Sequence, residues 1–277
     1  MTGILKQVEE TLAHIKARSP LVHHITNYVT VNDCANITLA IGASPVMADD
    51  IGEVREITAI SQALVLNMGT LNERTITSML AAAKKANELN IPVVFDPVGA
   101  GASALRNETV AKILGQVKIS IIRGNISEIG YIAGSRAAVK GVDASEKDMK
   151  AGAHNAAGIA KALAEKTGSI IAITGATDII SDGSRTVRIE NGHKMLGSIT
   201  GTGCMCTSLI GSACGAAADS FAAAVSGIVF MGIAGEMAFE KAGQLGNGSF
   251  RAALIDEISR LDAATLSKRA KITEASD

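Results

Sequence analysis

The sequence has few aromatic residues and almost no net charge. Phenylalanine, tyrosine and tryptophan make up 3% of the 277 residues, tryptophan is absent, and 26 basic residues are balanced by 27 acidic ones. Nucleic-acid affinity comes largely from clustered lysine and arginine, and single strands stack their bases on aromatic rings. A nucleic-acid partner is therefore not expected.

The sequence also lacks a clear membrane-directed segment. Glu9 and Glu10 fall where the apolar core of a signal peptide would lie. Two uncharged stretches could be considered as membrane spans. Residues 195–218 are interrupted by glycine, serine and threonine. Residues 220–235 are shorter than the roughly 20 apolar residues that a span needs. We expect both to be buried helices of a cytoplasmic protein without a membrane partner.

The common signatures of several enzyme classes are missing. There is no G-x-x-x-x-G-K-[ST] loop, no G-x-G-x-x-G after a strand, no G-x-S-x-G and no H-E-x-x-H. These absences count against P-loop kinases, dinucleotide dehydrogenases, serine hydrolases and zinc proteases. The spacing of the four cysteines fits no zinc site, and we expect them to stay reduced: Cys34, Cys204, Cys206 and Cys214.

Short apolar runs rich in β-branched residues alternate with longer helical patterns. Strands buried on both faces read as continuous apolar runs, so this alternation predicts a mostly parallel sheet between layers of helices. The predicted strands are 21–26, 64–67, 93–96, 119–123 and 170–174, and the predicted helices are 31–40, 71–89, 103–115, 128–133 and 146–166. No linker or repeat divides the chain, so we expect one domain over residues 1–277.

From residue 178 onward the pattern changes. Two short β-branched runs joined at Asp182 and Gly183 predict a hairpin, because Asp-Gly is a favoured two-residue turn. The sequence after Gly201 is typical of helices and ends in an amphipathic stretch with apolar residues at Phe250, Leu254, Ile258 and Leu261. We therefore predict a hairpin followed by a helical C-terminal region.

A glycine-rich segment, ITGTGCMC at residues 199–206, lies directly before a helical pattern. Gly201 and Gly203 permit backbone conformations closed to other residues, so their amides and that of Cys204 can converge at the helix N-terminus. Convergent amides at such a position bind phosphate or a developing phosphoryl anion. A tight helix-entry turn without any ligand explains the same residues equally well.

Three further segments place polar residues at predicted strand ends, where open α/β sheets bind ligands. Asn125 and Glu128 fit a helix capping box, whereas Arg123 is a fixed cation suited to a nucleotide phosphate. Asp96 either forms a turn or ligates Mg²⁺ and its waters, and Thr174 brings a hydroxyl to another strand end. Each segment is weak alone, but four such segments in a chain without a P-loop indicate a phosphate site.

The order of these segments resembles that of the ribokinase-like kinases, with N-x-x-E, then T-G, then a glycine-rich anion hole. The stretch VHHITNYVTVNDCANITLAIGASPVMADD, with FDPVGAG, RGNISEI, ITGATDII and GTGCM, closely resembles the hydroxyethylthiazole kinase family over about residues 20–240. The first stretch is specific to that family, whereas the short motifs are shared across the superfamily. The resemblance implies a ribokinase-like three-layer α/β/α sandwich with a mostly parallel central sheet and no separate lid domain.

The same resemblance implies ATP-dependent phosphorylation of the primary hydroxyl of 4-methyl-5-(2-hydroxyethyl)thiazole, in thiamine salvage. It also implies a homotrimer with active sites between subunits. The residues that match functional positions of the family are Arg123 and Thr174 for the ATP phosphates, Glu128 and Asp96 for Mg²⁺, Gly201, Gly203 and Cys204 for the catalytic anion hole, and Met47, Gly201 and Asn27 for the substrate pocket.

Cys204 stands where most ribokinase-like kinases carry an aspartate as general base and where the thiazole and hydroxymethylpyrimidine kinases carry cysteine. We expect the helix N-terminus to lower the pKa of its thiol. Phosphoryl transfer asks little of a base, so we expect Cys204 to accept the alcohol proton late, while amides and Mg²⁺ supply most of the catalysis.

Three alternatives remain open on the sequence. A hydroxymethylpyrimidine or pyridoxal-type kinase has the same fold, and pyrimidine kinases share Cys204, although HHITNYVTVND favours a thiazole kinase. An ATP-dependent dehydratase of hydrated nicotinamide nucleotides normally keeps aspartate at the Cys204 position. A catalytically silent binding protein would not need the phosphate-binding residues Arg123 and Glu128.

The remaining cysteines and histidines are expected to be structural. Cys206 and Cys214 fit small side chains of a buried helix. His23 and His24 face opposite sides of a strand, so one of them can reach the pocket, although hydrogen-bonded structural histidines are the simpler interpretation. Surface positions are expected for His14, His154 and His193.

Overall fold

The computed structural model of the chain describes residues 2–134 and 156–274. Within these residues, nine strands form one sheet. The strands are β1 (Leu21–Ile25), β2 (Ser44–Val46), β3 (Ala63–Asn67), β4 (Val93–Asp96), β5 (Ile121–Asn125), β6 (Ile170–Thr174), β7 (Asp178–Ser181), β8 (Thr186–Ile189) and β9 (Ile272–Glu274).

The sheet is parallel over most of its width. Its order is β2-β1-β3-β4-β5-β6-β7-β8-β9; the pairs from β2 to β6 are parallel and the pairs from β6 to β9 are antiparallel. Parallel neighbours end at the same edge of a sheet, so the carboxyl ends of β1, β3, β4, β5 and β6 lie side by side.

Helices cover both faces of this sheet. They are α1 (Thr2–Arg18), α2 (Val31–Ile41), α3 (Val54–Ile60), α4 (Glu73–Glu88), α5 (Ala104–Gln116), α6 (Ile126–Ile132), α7 (Ala156–Thr167), α8 (Thr202–Cys214), α9 (Ser220–Ala242), α10 (Asn247–Arg260) and α11 (Ala263–Arg269). Successive strand residues point to opposite faces, and β3 shows the result. Val65 packs in a core with α1, α2, α8, α9 and α10, whereas Leu64 and Leu66 pack in a second core with α3 to α7.

These two cores on either side of one sheet confirm the predicted three-layer α/β/α arrangement with a mostly parallel sheet. The predicted hairpin is also confirmed, since β7 and β8 pair antiparallel across Gly183, whose φ is +93°. Strand β5 runs further than predicted, to Asn125, because Gly124 and Asn125 pair with Ile173 and Thr174.

Some elements differ from the prediction. The sequence prediction missed β2, α3 and β9, which span three to seven residues and are too short to show a clear periodicity. In particular, β9 adds a strand to a C-terminal region that was expected to be helical. The first part of the predicted helix 146–166 and His154 lie outside the described residues, and the described part is α7.

Residues 220–235 were expected to be too short to span a membrane, but they belong to the longer helix α9. It runs for 23 residues, so by length and composition it could cross a membrane. However, 89% of its most apolar window is buried inside the protein, and it packs against α8, α10 and α1. Burial, rather than a short length, therefore identifies α9 as a core helix.

Candidate active site

Polar side chains gather at the carboxyl edge of the parallel strands. Asn67 and Asp96 end the neighbouring strands β3 and β4 in register, and Asn125 and Thr174 do the same for β5 and β6. The N-terminal half of α8 lies over this edge, since its Thr207 donates a hydrogen bond of 2.7 Å from Oγ1 to Oδ2 of Asp96. Residues far apart in sequence thus form one cluster.

Arg123 lies at the centre of the cluster and is largely shielded from solvent. Its Nη2 donates to Oγ1 of Thr174 at 2.5 Å, and its Nη1 lies 3.6 Å from Oδ2 of Asp96. Asp96 is fully buried, and burial raises the pKa of its carboxyl even though Arg123 acts in the opposite direction. A buried ion pair is weak evidence for stability, so this one is better explained by function.

The predicted capping box at α6 is confirmed. Oδ1 of Asn125 accepts from the amide of Glu128, and Oε2 of Glu128 accepts from the amide of Asn125. The other oxygen of Glu128 accepts from the amide of Gly99, in the loop after β4. Burial and the negative charge of Asp96 raise the pKa of Glu128 to about 7.

Two glycines at the start of α8 are required for different reasons. Gly201 has a φ of +89°, as predicted, and precedes the first turn of the helix. Gly203 lies inside the helix and has no positive φ, so the prediction of a special backbone conformation is wrong for it. Instead, a Cβ there would lie 2.7 Å from Nη1 of Arg123, so only glycine lets the arginine approach the helix.

The backbone amides at the start of α8 remain available for an anion. The amide of Met205 bonds to the carbonyl of Gly201, so the amides of residues 202–204 precede the regular hydrogen bonds of the helix. Among the described residues, no side chain caps this helix start. Arg123 brings a guanidinium cation next to the start of the same helix, at Gly203.

Cys204 is held by two asparagine side chains. Its Sγ accepts hydrogen bonds from Nδ2 of Asn27 at 3.3 Å and from Nδ2 of Asn67 at 3.2 Å. The prediction of a lowered thiol pKa is wrong: burial raises the pKa of Cys204, and the carboxylate of Asp96 raises it further. Desolvation disfavours the thiolate more strongly than the hydrogen bonds favour it.

A cavity of about 280 Å³ lies beside this cluster. Met47 lines it, as do Thr26 and Tyr28 on either side of Asn27. His24 lines it too, while His23 makes hydrogen bonds with Thr58 and with the carbonyl of Ala48. Both histidines are buried and hydrogen-bonded, as the structural interpretation predicted, and His24 in addition lines the cavity.

The other structural predictions can also be placed. Cys206 is buried in α8 and Cys214 ends it, as expected. His14 is exposed, but His193 is only partly exposed because its ring stacks on Phe239 at 3.6 Å, so its surface assignment needs correction.

Asp96 and Glu128 fit the requirements of Mg²⁺. Mg²⁺ prefers oxygen ligands, keeps several waters and is usually held by one or two carboxylates with substrate phosphates. Oδ1 of Asp96 is buried and has no hydrogen-bond partner among the described residues. Within residues 2–134 and 156–274 there is no group of three or more histidine, cysteine, aspartate or glutamate side chains that could hold a metal ion.

Sequence reasoning missed Asn67 and Thr207. Asn67 ends a strand that reads as purely apolar, and Thr207 lies within a helix of small residues, so neither belongs to a motif. The available signal was the position of Asn67 at the carboxyl end of a parallel strand, where ligand-binding residues occur. Thr207 could be found only from the contact with Asp96.

Comparison with known proteins gives a consistent result. A model of the hydroxyethylthiazole kinase family matches residues 12–264. Hydroxyethylthiazole kinases of Clostridium beijerinckii and Ruminiclostridium cellulolyticum are 61% and 58% identical to this chain, over 97% and 99% of it and 97% and 100% of their own lengths. The structure of a hydroxyethylthiazole kinase protein from Pyrococcus horikoshii OT3 superimposes with a TM-score of 0.89 at 37% identity, covering 98% of this chain and 100% of that one.

The fold and the site together define a kinase of the ribokinase-like class. The nine-stranded sheet carries its polar cluster at the carboxyl edge, next to the glycine-rich start of α8. The chain belongs to the hydroxyethylthiazole kinase family. It is therefore a transferase that moves a phosphoryl group.

Proposed function

We propose that the protein transfers the γ-phosphate of ATP to the primary hydroxyl of 4-methyl-5-(2-hydroxyethyl)thiazole, as a step of thiamine salvage in the cytoplasm. One observation carries the proposal: the start of α8, whose amides at residues 202–204 precede the regular helical hydrogen bonds, approaches the guanidinium group of Arg123 at Gly203. This pairing suits a phosphoryl group in transit, because both groups stabilise negative charge that develops on its oxygens.

Each side chain then has a defined task. Arg123 and Thr174, already joined by a hydrogen bond, contact the ATP phosphates. Met47, Asn27 and the backbone of Gly201 line the pocket for the thiazole ring. Asp96 and Glu128 hold Mg²⁺, which supplies charge neutralisation to the phosphates when it is bound.

Cys204 accepts the proton of the alcohol late in the reaction. Its raised pKa makes the thiolate scarce but more basic. A loose transition state needs little help from a base, so a small thiolate fraction is compatible with turnover. The amides of the turn and Arg123 supply most of the stabilisation.

The active sites are proposed to lie between subunits of a homotrimer, each chain forming one domain. Two large apolar side chains beside the cavity are strongly exposed in the single chain, Tyr28 at 79% and Val29 at 56%. A neighbouring subunit would cover them and shield the reacting groups from water. Full activity of a monomer in solution would contradict this assembly.

A parallel assay tests the substrate assignment. Purified protein with Mg-ATP is offered hydroxyethylthiazole, hydroxymethylpyrimidine and pyridoxal, and the phosphorylated product is measured for each. We expect turnover with the thiazole alcohol. Turnover of only a pyrimidine or pyridoxal would overturn the thiazole assignment and leave the kinase assignment in place.

A further inference from the structure

Asn67 is a buried amide whose hydrogen-bonding capacity is fully used. Its Nδ2 donates to Oδ2 of Asp96 at 2.8 Å and to Sγ of Cys204 at 3.2 Å. Its Oδ1 accepts from Nδ2 of Asn27 and from the amide of Gly69, both at 2.9 Å. Two acceptors on one side and two donors on the other fix the orientation of the amide group.

The sulfur of Cys204 depends on this amide more than Asp96 does. The helix backbone fixes the Cα of Cys204, but its thiol can still rotate among three staggered positions. The amides of Asn27 and Asn67 select one of them by donating to Sγ. Asp96, in contrast, is also held by Thr207 and faces Arg123, so it keeps its place without Asn67.

We propose that Asn67 is a positioning residue, which fixes the sulfur of Cys204 against the substrate hydroxyl and links it to the carboxylate of Asp96. The inference rests on the proposed role of Cys204 in phosphoryl transfer to an alcohol. It assigns the task of orienting the thiol to a residue that lies 137 positions away in sequence and belongs to no motif.

The first test replaces the amide with an apolar side chain of similar shape. Asn67→Leu is expected to lower kcat about 100-fold, since a small misplacement of a reacting group costs about that much, with the KM for ATP nearly unchanged. The matched control is Asn191→Leu. Asn191 is also buried and bonds to Glu236, Lys271 and Arg269, but it follows β8 at the antiparallel edge, so this variant should lose stability and keep kcat.

A double-mutant cycle separates positioning from general damage. If Asn67 acts through Cys204, the fold-loss of kcat caused by Asn67→Leu should be at least about tenfold smaller in a Cys204→Ala background than in the wild type. If Asn67→Leu lowered kcat by the same factor in both backgrounds, the proposal would be overturned. A wild-type kcat in Asn67→Leu alone or in Cys204→Ala alone would overturn it too. If Asn67→Leu does not fold, Asn67→Ser goes through the same cycle.

The alkylation rate of Cys204 tests the role of Asn67 without turnover, and so does not depend on which substrate the enzyme accepts. The rate at which iodoacetamide alkylates Cys204, mapped by mass spectrometry, should change more than about threefold in Asn67→Leu, because thiol reactivity follows its surroundings. The rate at Cys214, also partly exposed, should stay constant. An unchanged alkylation rate at Cys204 contradicts the proposal whichever alcohol the enzyme accepts. If the enzyme phosphorylates a different alcohol, the double-mutant cycle is measured with that alcohol instead.

Discussion

At the scale of single residues, Cys204 shows how competing interactions set the chemistry of a site. Burial and the carboxylate of Asp96 raise the pKa of its thiol, and they outweigh the hydrogen bonds from Thr30 and Asn27 and the charge of Arg123, which lower it. A helix N-terminus lowers a thiol pKa most effectively where solvent also reaches the sulfur. Here desolvation of the sulfur dominates, so the pKa of the thiol is raised and it remains a weak acid.

Substitutions of Cys204 test how much of the rate depends on a base. Cys204→Ala should lower kcat by less than about 10⁴-fold, since general-base catalysis contributes up to that amount and the amides of residues 202–204 remain. Cys204→Asp should keep much more activity, because a carboxylate can accept both asparagine amides and the alcohol proton. Steady-state kinetics of the two variants provide the measurement. A larger loss in the alanine variant would mean that Cys204 does more than accept a proton.

At the scale of elements, the start of α8 brings the backbone amides of residues 202–204, for which we propose a catalytic role, to the edge of the sheet. The turn is closely packed on both sides: a Cβ on Gly201 would meet Cγ2 of Thr30 at 2.6 Å, and one on Gly203 would meet Arg123. Only Gly201 needs a left-handed backbone. A side chain at position 201 would therefore strain the backbone, whereas one at position 203 would only displace the arginine.

Alanine substitutions at Gly201 and Gly203 should have different effects on stability and activity. Gly203→Ala lies in a helix that tolerates alanine, so its thermal stability should change little while kcat/KM for ATP falls about tenfold or more, because Arg123 is displaced from the phosphates. Gly201→Ala should lower both stability and activity, since it adds a strained φ to a clash. The control is Gly115→Ala, in α5, where a Cβ meets nothing within 4 Å and activity should not change. A Gly203→Ala enzyme with normal ATP kinetics would contradict the role of Arg123.

At the scale of the whole molecule, buried carboxyl groups link stability to pH. Asp178, at the start of β7, accepts one hydrogen bond from the amide of Gly175, and burial raises its pKa to about 7. Its unfolded pKa is near 4, so between about pH 4 and pH 7 the unfolded chain releases a proton that the folded protein retains. Stability is therefore lost as pH rises through this window.

Asp178→Asn should remove this dependence. The free energy of unfolding of the wild type, relative to Asp178→Asn, should fall steadily from about pH 4 to pH 7 and then level off, as measured by denaturant titration without ligands. Asp182→Asn is the control of opposite sign. The pKa of Asp182 is lowered to about 2 because, against burial, it accepts hydrogen bonds from Arg185 and Ser184, so its contribution is lost only under acid conditions. A parallel pH profile for wild type and Asp178→Asn would rule out the linkage.

Local sequence was sufficient for much of this protein. The apolar runs indicated the central strands, Asp182-Gly183 indicated the hairpin, and Asn125 with Glu128 indicated a capping box, because each depends on residues a few positions apart. The same local motifs marked Arg123, Asp96, Thr174 and the turn at Gly201. Their grouping followed from one rule, that parallel strands end at a common edge.

Tertiary structure alone decided the properties that depend on distant neighbours. The amide of Asn67 meets Cys204 across 137 positions, and the hydroxyl of Thr207 meets Asp96 across 111. The raised pKa of Cys204 and the glycine at position 203 likewise follow from what surrounds them after folding. Desolvation and close packing depend on atoms brought together by the whole fold, so no local stretch of sequence determines them.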